Sequence, residues 1–134
     1  TMEISHHYGM KKFNQVGAVL VDIVNRSYCK KLVIQIPNQR HPNHYHKRKE
    51  ETFQVLHGVL EMTLNDRRKT LYPGDTVLVQ PGVWHEFWTA TGTIFEEIST
   101  THHNNDSFYE DKNINRMERS DRKTVVEHWG RHQI

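Results

Sequence analysis

Turn signals recur along this chain at intervals too short for a helical fold. Asn25-Arg26-Ser27, Pro37-Asn38, His57-Gly58, Asn65-Asp66, Pro73-Gly74, Pro81-Gly82 and Thr91-Gly92 punctuate it, and short apolar, β-branched runs lie between them. Such runs suit a pleated, half-buried surface, and Gly, Pro, Asn and Asp suit the turns that join strands. Residues 18–24, 28–36, 51–56, 59–64, 70–72, 76–79, 85–88 and 93–101 read as strands, with His57-Gly58 as a hairpin turn. Short strands at this spacing predict an all-β jelly roll or barrel. Residues 9–16 read as a short helix, because Met10, Phe13 and Val16 share a face. From His102 the chain turns polar. Residues 104–122 read as an ordered loop with a helical turn, and 123–129 as an edge strand or a segment packed on a partner. The 134 residues show no repeat and no linker, so residues 1–134 form one domain with short helical segments near its termini. A chain of this length can bury a real core.

One stretch inside this pattern carries chemistry. It reads His44-x-His46-x4-Glu51-x6-Gly58. Two histidines two apart on an extended strand point to the same side, and a carboxylate one short loop later can close on the same point. Downstream, His85 follows Gly74 and Pro81-Gly82. His44, His46, Glu51 and His85 together are candidate ligands for one divalent transition metal, of the group Mn, Fe, Ni, Co or Zn. Strand parity turns Glu51, Phe53 and Val55 inward with His85 and Phe87, so the ligands stand in an apolar wall. Two other histidine pairs, His6-His7 and His102-His103, read as surface residues.

These two segments resemble the two sequence motifs of the cupin superfamily, G-x5-H-x-H-x3,4-E-x6-G and G-x5-P-x-G-x2-H-x3-N. Gly58, Gly74, Gly82 and His85 match, together with the three ligands of the first motif. Asn38 stands for the first glycine, Gln80 for the first proline and Thr89 for the final asparagine. None of these departures falls on a ligand position. Asn also tolerates the left-handed backbone that a turn glycine supplies. The resemblance implies a cupin-type jelly-roll β-barrel with a metal inside and a homodimeric assembly.

Around these ligands, Lys47, Arg48 and Lys49 form the loop between His46 and Glu51. They read either as a solvated loop or as an anchor for a carboxylate or phosphate, with Lys49 the candidate. Trp84, Phe87 and Trp88 flank His85. Aromatic clusters are core by default, but one of the three could stack on a sugar face, with Phe87 and Trp88 the candidates. Glu96 and Glu97 lie mid-strand, so alternation sends one of them inside. Glu97 is the one expected inward, grouped with Phe95 and Ser99, where burial would raise its pKa and fit it as a general base.

A narrower resemblance rests on the segment from Phe95 to Thr101, Asn104-Asn105-Asp106 and Phe108-Tyr109. It is similar to the end of the D-lyxose-isomerase-like cupins, metal-dependent aldose–ketose isomerases, and it aligns Glu97 with their inner glutamate. The stretches Ile4 to Gly9, Asn25 to Lys31 and Arg122 to Val126 also resemble the small cupin domain appended to some N-acetylneuraminate (sialic acid) synthase-type enzymes. Thr1 before Met2 fits a tag remnant or a domain excised from a longer chain, and a linked synthase domain would fit the second case. The formal charge of +2 is too small to point to nucleic acid. No apolar run reaches membrane-spanning length, and no signal leader is visible. The single Cys29 excludes an internal disulfide and fits a reducing, cytoplasmic setting as a buried inert thiol. Three functions follow as expectations. The first is a sugar isomerase, with Glu97 as base and a small sugar or sugar acid as substrate. The second is a non-catalytic sugar-binding domain of a sialic-acid-synthase-type enzyme. The third is a metal-dependent dioxygenase.

Overall fold

A computed structural model describes residues 1–127 of the chain. In chain order its elements are β1 (Met2–Ser5), a 3₁₀ turn (Met10–Lys12), β2 (Ala18–Asn25), β3 (Tyr28–Gln35), β4 (Gln39–Tyr45), β5 (Glu51–Gly58), β6 (Leu60–Leu64), β7 (Arg67–Leu71), β8 (Thr76–Val79), β9 (His85–Thr89), β10 (Thr93–Thr100), β11 (Phe108–Tyr109), α1 (Lys112–Arg116), α2 (Arg119–Arg122) and β12 (Lys123–Val126). The strands form two antiparallel sheets. The larger runs β12-β1-β2-β3-β10-β5-β8, and the smaller runs β11-β4-β9-β6-β7. The two inner faces close on each other as a jelly roll, which covers the apolar side of every long strand. No helix among the described residues is long and apolar enough to cross a membrane.

Alternation places the core. On β5, Glu51, Phe53 and Val55 are buried, and on β10, Thr93, Phe95, Glu97 and Ser99 are buried. Their partners in the core include Val33, Leu60, Met62, Val79 and Phe87. Phe53, Phe87 and Phe95 meet ring to ring, with Phe95 centred 5.3 Å from each of the other two. Truncating one such ring to alanine typically costs about 3–5 kcal/mol. This apolar half of the barrel fixes where the polar half begins.

Two turns bear out the motif reading. Asn38 adopts φ 64° and Gly58 φ 77°, the left-handed region. A Cβ on Gly58 would lie 2.1 Å from the Gly92 carbonyl oxygen, so the β5–β6 hairpin can pass the β9–β10 turn only with glycine there.

Elsewhere the structure differs from the pattern. The helix expected over 9–16 is only a 3₁₀ turn at Met10–Lys12. The helix is cut short because Gly17 turns the chain into β2, with its amide bonded to the Arg40 carbonyl at 2.9 Å. The run 2–5 is a strand, clamped between β2 and β12. The 104–122 segment contains β11 and two short helices rather than one helical turn. β12 pairs with β1 at the edge of the larger sheet; the end of the 123–129 segment lies outside the described residues.

Candidate metal centre

β4 carries a polar inner wall, with Gln39, His41 and His44 buried. Its register against β9 slips between His41 and His44, at Pro42, which has no N–H to give a ladder. The slip adds one residue and resets the alternation. As a result His41, His44 and His46 are all buried on the inner side. His85 lies directly across from His44 on β9. The ligand nitrogens of His44, His46 and His85 lie within 4.8 Å of one another.

The orientation of these rings is fixed from behind. His44 Nδ1 faces the Pro42 carbonyl at 2.9 Å, His85 Nδ1 the Val83 carbonyl at 2.9 Å, and His46 Nδ1 the Asp106 carbonyl at 2.7 Å. A carbonyl only accepts, so each Nδ1 carries the proton and each Nε2 keeps a lone pair. Burial holds His44 and His46 below the ordinary histidine value, which keeps both rings neutral.

Glu51 completes the arrangement. Its Oε1 lies 2.9 Å from His46 Nε2 and 3.3 Å from His85 Nε2. Burial would raise this carboxyl, but the nearby Lys49 ammonium holds it well below the usual range. It is therefore an anion set against two lone pairs, and His46 Nε2, His85 Nε2 and both Glu51 oxygens are buried without a hydrogen-bond partner. Electron-rich atoms this close, with no proton between them, repel unless a cation joins them. The donor set fits a divalent transition metal: neutral imidazole nitrogens plus a carboxylate.

Glu97 faces the same cavity, 7% exposed, with Lys31 beside it on β3 and Phe53 beside it on β5. Burial pushes its carboxyl up to about 8; the Glu51 charge adds to the rise and Lys49 opposes it. Glu96 turns outward to Lys30 at 2.9 Å. Lys49 is buried, with its Nζ 3.7 Å from Glu51 Oε2 and 3.7 Å from Glu97 Oε1. Burial alone would lower this ammonium, yet the two carboxylates hold it above the ordinary lysine value. It also donates to His102 Nδ1 at 3.1 Å. Lys47 and Arg48, by contrast, point to solvent.

Phe87 lines the cavity and stacks on His41, with centroids 4.6 Å apart and planes 8° from parallel. Trp88 does not reach the cavity. It is one residue out of phase with His85 and Phe87 on β9 and lies on the outer face, under Arg68. The expectation that Trp88 touches a ligand of this site is corrected by that parity. The expectation of surface positions is also corrected for His102, which is half-buried and lines the cavity, and for His6 and His7. The last two are buried, because each finds a partner there: His6 Nε2 meets Thr124 Oγ1 at 2.9 Å, and His7 Nε2 meets His41 Nε2 at 3.2 Å.

Several residues of the site were not marked by their sequence. His41 was hidden by the Pro42 slip, although a proline inside a strand is itself a bulge signal. Lys31, His102, Ser107, Tyr109 and Lys123 also line the cavity. Tyr109 joins through β11, which lies beside β4 at His44. No local pattern announces such contacts.

The sequence profile of the family described as Cupin domain matches residues 31–100. Among curated proteins, an oxidoreductase of Arthrobotrys oligospora is 28% identical over 71 residues, covering 52% of this chain but only 28% of that protein. Among solved structures, L-ribose isomerase of Geodermatophilus obscurus superposes with a TM-score of 0.75 at 15% identity, over 84% of this chain and 81% of that one. A cupin-superfamily sugar phosphate isomerase from Silicibacter pomeroyi gives a TM-score of 0.66 at 19% identity, over 83% and 77%. KdgF from a Halomonas species gives 0.61 at 15% identity, over 65% and 81%. At these identities the likeness establishes a shared fold.

Proposed function

The chain belongs to the Cupin domain family, and on that footing we propose that it is a metal-dependent aldose–ketose isomerase acting on a small open-chain sugar. The observation that carries this reading is Glu97. It is a buried carboxylate with an unpartnered oxygen, aimed into the same cavity as the histidine cluster. Folding alone gains nothing from leaving such a group unsatisfied.

In this reading His44, His46, His85 and Glu51 hold the ion. When bound, a divalent cation supplies Lewis-acid polarisation of adjacent sugar oxygens, and its charge opposes the rise in Glu97's proton affinity. Glu97 takes the proton from the carbon beside the carbonyl and returns it to the carbonyl carbon. One C–H bond breaks and another forms, while the hydroxyl proton passes between the two oxygens. No atom or electron is gained or lost. Lys49, at 3.7 Å from Glu97, offsets the negative charge as that carboxyl ionises. Phe53, Phe87 and Phe95, with Leu20 and Val33, form the apolar part of the wall and keep bulk water from the reacting carbons.

Two further observations support this class. Structural neighbours over most of the chain include proteins named for sugar isomerisation. A dry pocket without acid or base groups would instead suit oxygen chemistry, and this cavity contains Glu97 and Lys49. The test is Glu97→Gln, which keeps shape and removes the base. Pentoses, hexoses, their phosphates and N-acetylmannosamine-type sugars are first screened on the wild type. On any sugar that turns over, the variant should lose roughly 100-fold or more in turnover with metal content unchanged. Exchange of solvent protons into the product should fall with it. If no sugar turns over while one or more raises the melting temperature, the isomerase reading fails and a non-catalytic sugar-binding domain stands in its place.

A further inference from the structure

We propose that Asp106 is a positioning residue for the metal centre, acting on the loop between two ligands and on the ring of one of them. The inference rests on the metal reading of the histidine cluster and goes beyond it to a residue some sixty positions away in sequence.

The loop Lys47–Glu50 joins His46 to Glu51, so its shape sets how those two side chains meet. It has no strand partner along residues 46–49, and three successive amides point inward with no ladder to satisfy them. One side chain satisfies all three. Asp106 Oδ1 accepts from Lys47 N at 3.0 Å and Arg48 N at 3.3 Å; its Oδ2 accepts from Arg48 N at 3.2 Å and Lys49 N at 3.1 Å. Consecutive N–H groups converging on one point form an anion-binding nest, and here the anion is the chain's own, 3% exposed. The same residue's backbone carbonyl accepts a hydrogen bond from His46 Nδ1–H at 2.7 Å.

These contacts converge on the ligands rather than merely on the surface. Through His46 Nδ1, Asp106 sets which nitrogen faces the cluster. Through the Lys49 amide, it sets the stem of the ammonium that stands between Glu51 and Glu97. Anchoring the 101–109 segment alone does not need this convergence. Arg48 also bonds Asn105 at 2.9 Å, and the Lys47 ammonium lies over the Phe108 ring at 4.5 Å, both outside the cavity.

Asp106→Asn keeps the shape but swaps one acceptor oxygen for a donor that faces an N–H. Co(II) serves as the probe, because its visible absorption reports ligand geometry. Wild type, Asp106→Asn and Asn105→Ala are stripped with chelator and titrated with Co(II), with urea unfolding run beside them. Asp106→Asn should bind Co(II) 10- to 100-fold more weakly, the range seen when an outer partner of a metal ligand is lost, and its absorption bands should shift. Asn105→Ala should match the wild type within about twofold, since its contact is a solvent-exposed hydrogen bond. Wild-type affinity and spectrum in Asp106→Asn, whatever its urea midpoint, overturn the proposal. If Asp106→Asn does not fold, amide exchange on the wild type decides: Lys47, Arg48 and Lys49 should be protected like strand amides, and fast exchange overturns the proposal. A wild type that binds no Co(II) overturns the metal reading and this inference together, whereas binding by the wild type with no change in the variant overturns only this one.

Discussion

Glu3 and His7 sit close in the chain, both are buried, and each writes its own pH window into stability. Burial, followed by the Lys123 and Arg122 charges, pushes His7 down to about 3. Its folded value is lower than its unfolded one, so its contribution is complete above about pH 6.5 and is lost progressively as pH falls toward 3, because only the unfolded chain takes up the proton. At pH 5 that loss is about 2 kcal/mol for this one histidine. Burial would raise Glu3, but Lys123 and Lys31 hold it at about 2. Its contribution is complete above about pH 4.5 and disappears as pH falls through 2. Glu97 works the other way, because its carboxyl, raised to about 8, adds stability as pH falls from 8 toward 4.5. Urea unfolding in chelator at pH 7.5, 6 and 5 is therefore read in Glu97→Gln, where stability should fall across this range. His41 and His44, also held low by burial, add to the same window. A flat profile from pH 7.5 to 5 in Glu97→Gln would contradict the burial of neutral histidines.

Among the elements, the β5–β6 hairpin makes the sharpest demand. Gly58→Ala puts a Cβ into the Gly92 carbonyl at a positive φ. Left-handed backbone alone costs an alanine about 1–2 kcal/mol, and the clash adds to it. The variant should lose at least about 2 kcal/mol in urea unfolding, and wild-type stability would contradict the crossing of the two turns. The reason for this glycine was legible at the level of the motif, as were β5, β9 and β10, because their side chains alternate cleanly between turn signals. Glu97's inward placement followed from the same parity. Parity equally excluded Trp88, and the attraction of an aromatic cluster around His85 obscured that. β4 was harder to read. Pro42 interrupts the two-residue period, so His41 falls inward where strict alternation from His44 sends it outward. The C-terminal contacts had no signal in the local pattern; Asn104-Asn105-Asp106 and Phe108-Tyr109 carried a resemblance but not their partners. Asp106 is ordinary as a loop residue, and its role exists only because β11 pairs with β4 at Tyr45 and His44. His7 misled for a similar reason: a polar residue is read as exposed until its buried partner, His41, is known.

At the scale of the whole molecule, the candidate ligands come from both sheets. His44, His46 and His85 belong to the smaller sheet and its β4 extension, and Glu51 belongs to the larger one. An ion held by all four ties one sheet to the other across the barrel. Because the sites converge only in the folded state, binding stabilises that state alone, by about 4 kcal/mol when free metal stands at a thousand times its dissociation constant. The apolar half of the barrel, built on Phe53, Phe87 and Phe95, needs no metal, so the stripped protein should remain folded by circular dichroism. The most direct measurement is elemental analysis of wild type and of His44→Ala with His46→Ala, each stripped, reloaded with a divalent transition metal and desalted. The account predicts close to one ion per chain in the wild type and none in the folded double variant. An unloaded wild type, or a double variant that keeps its full complement, would contradict it.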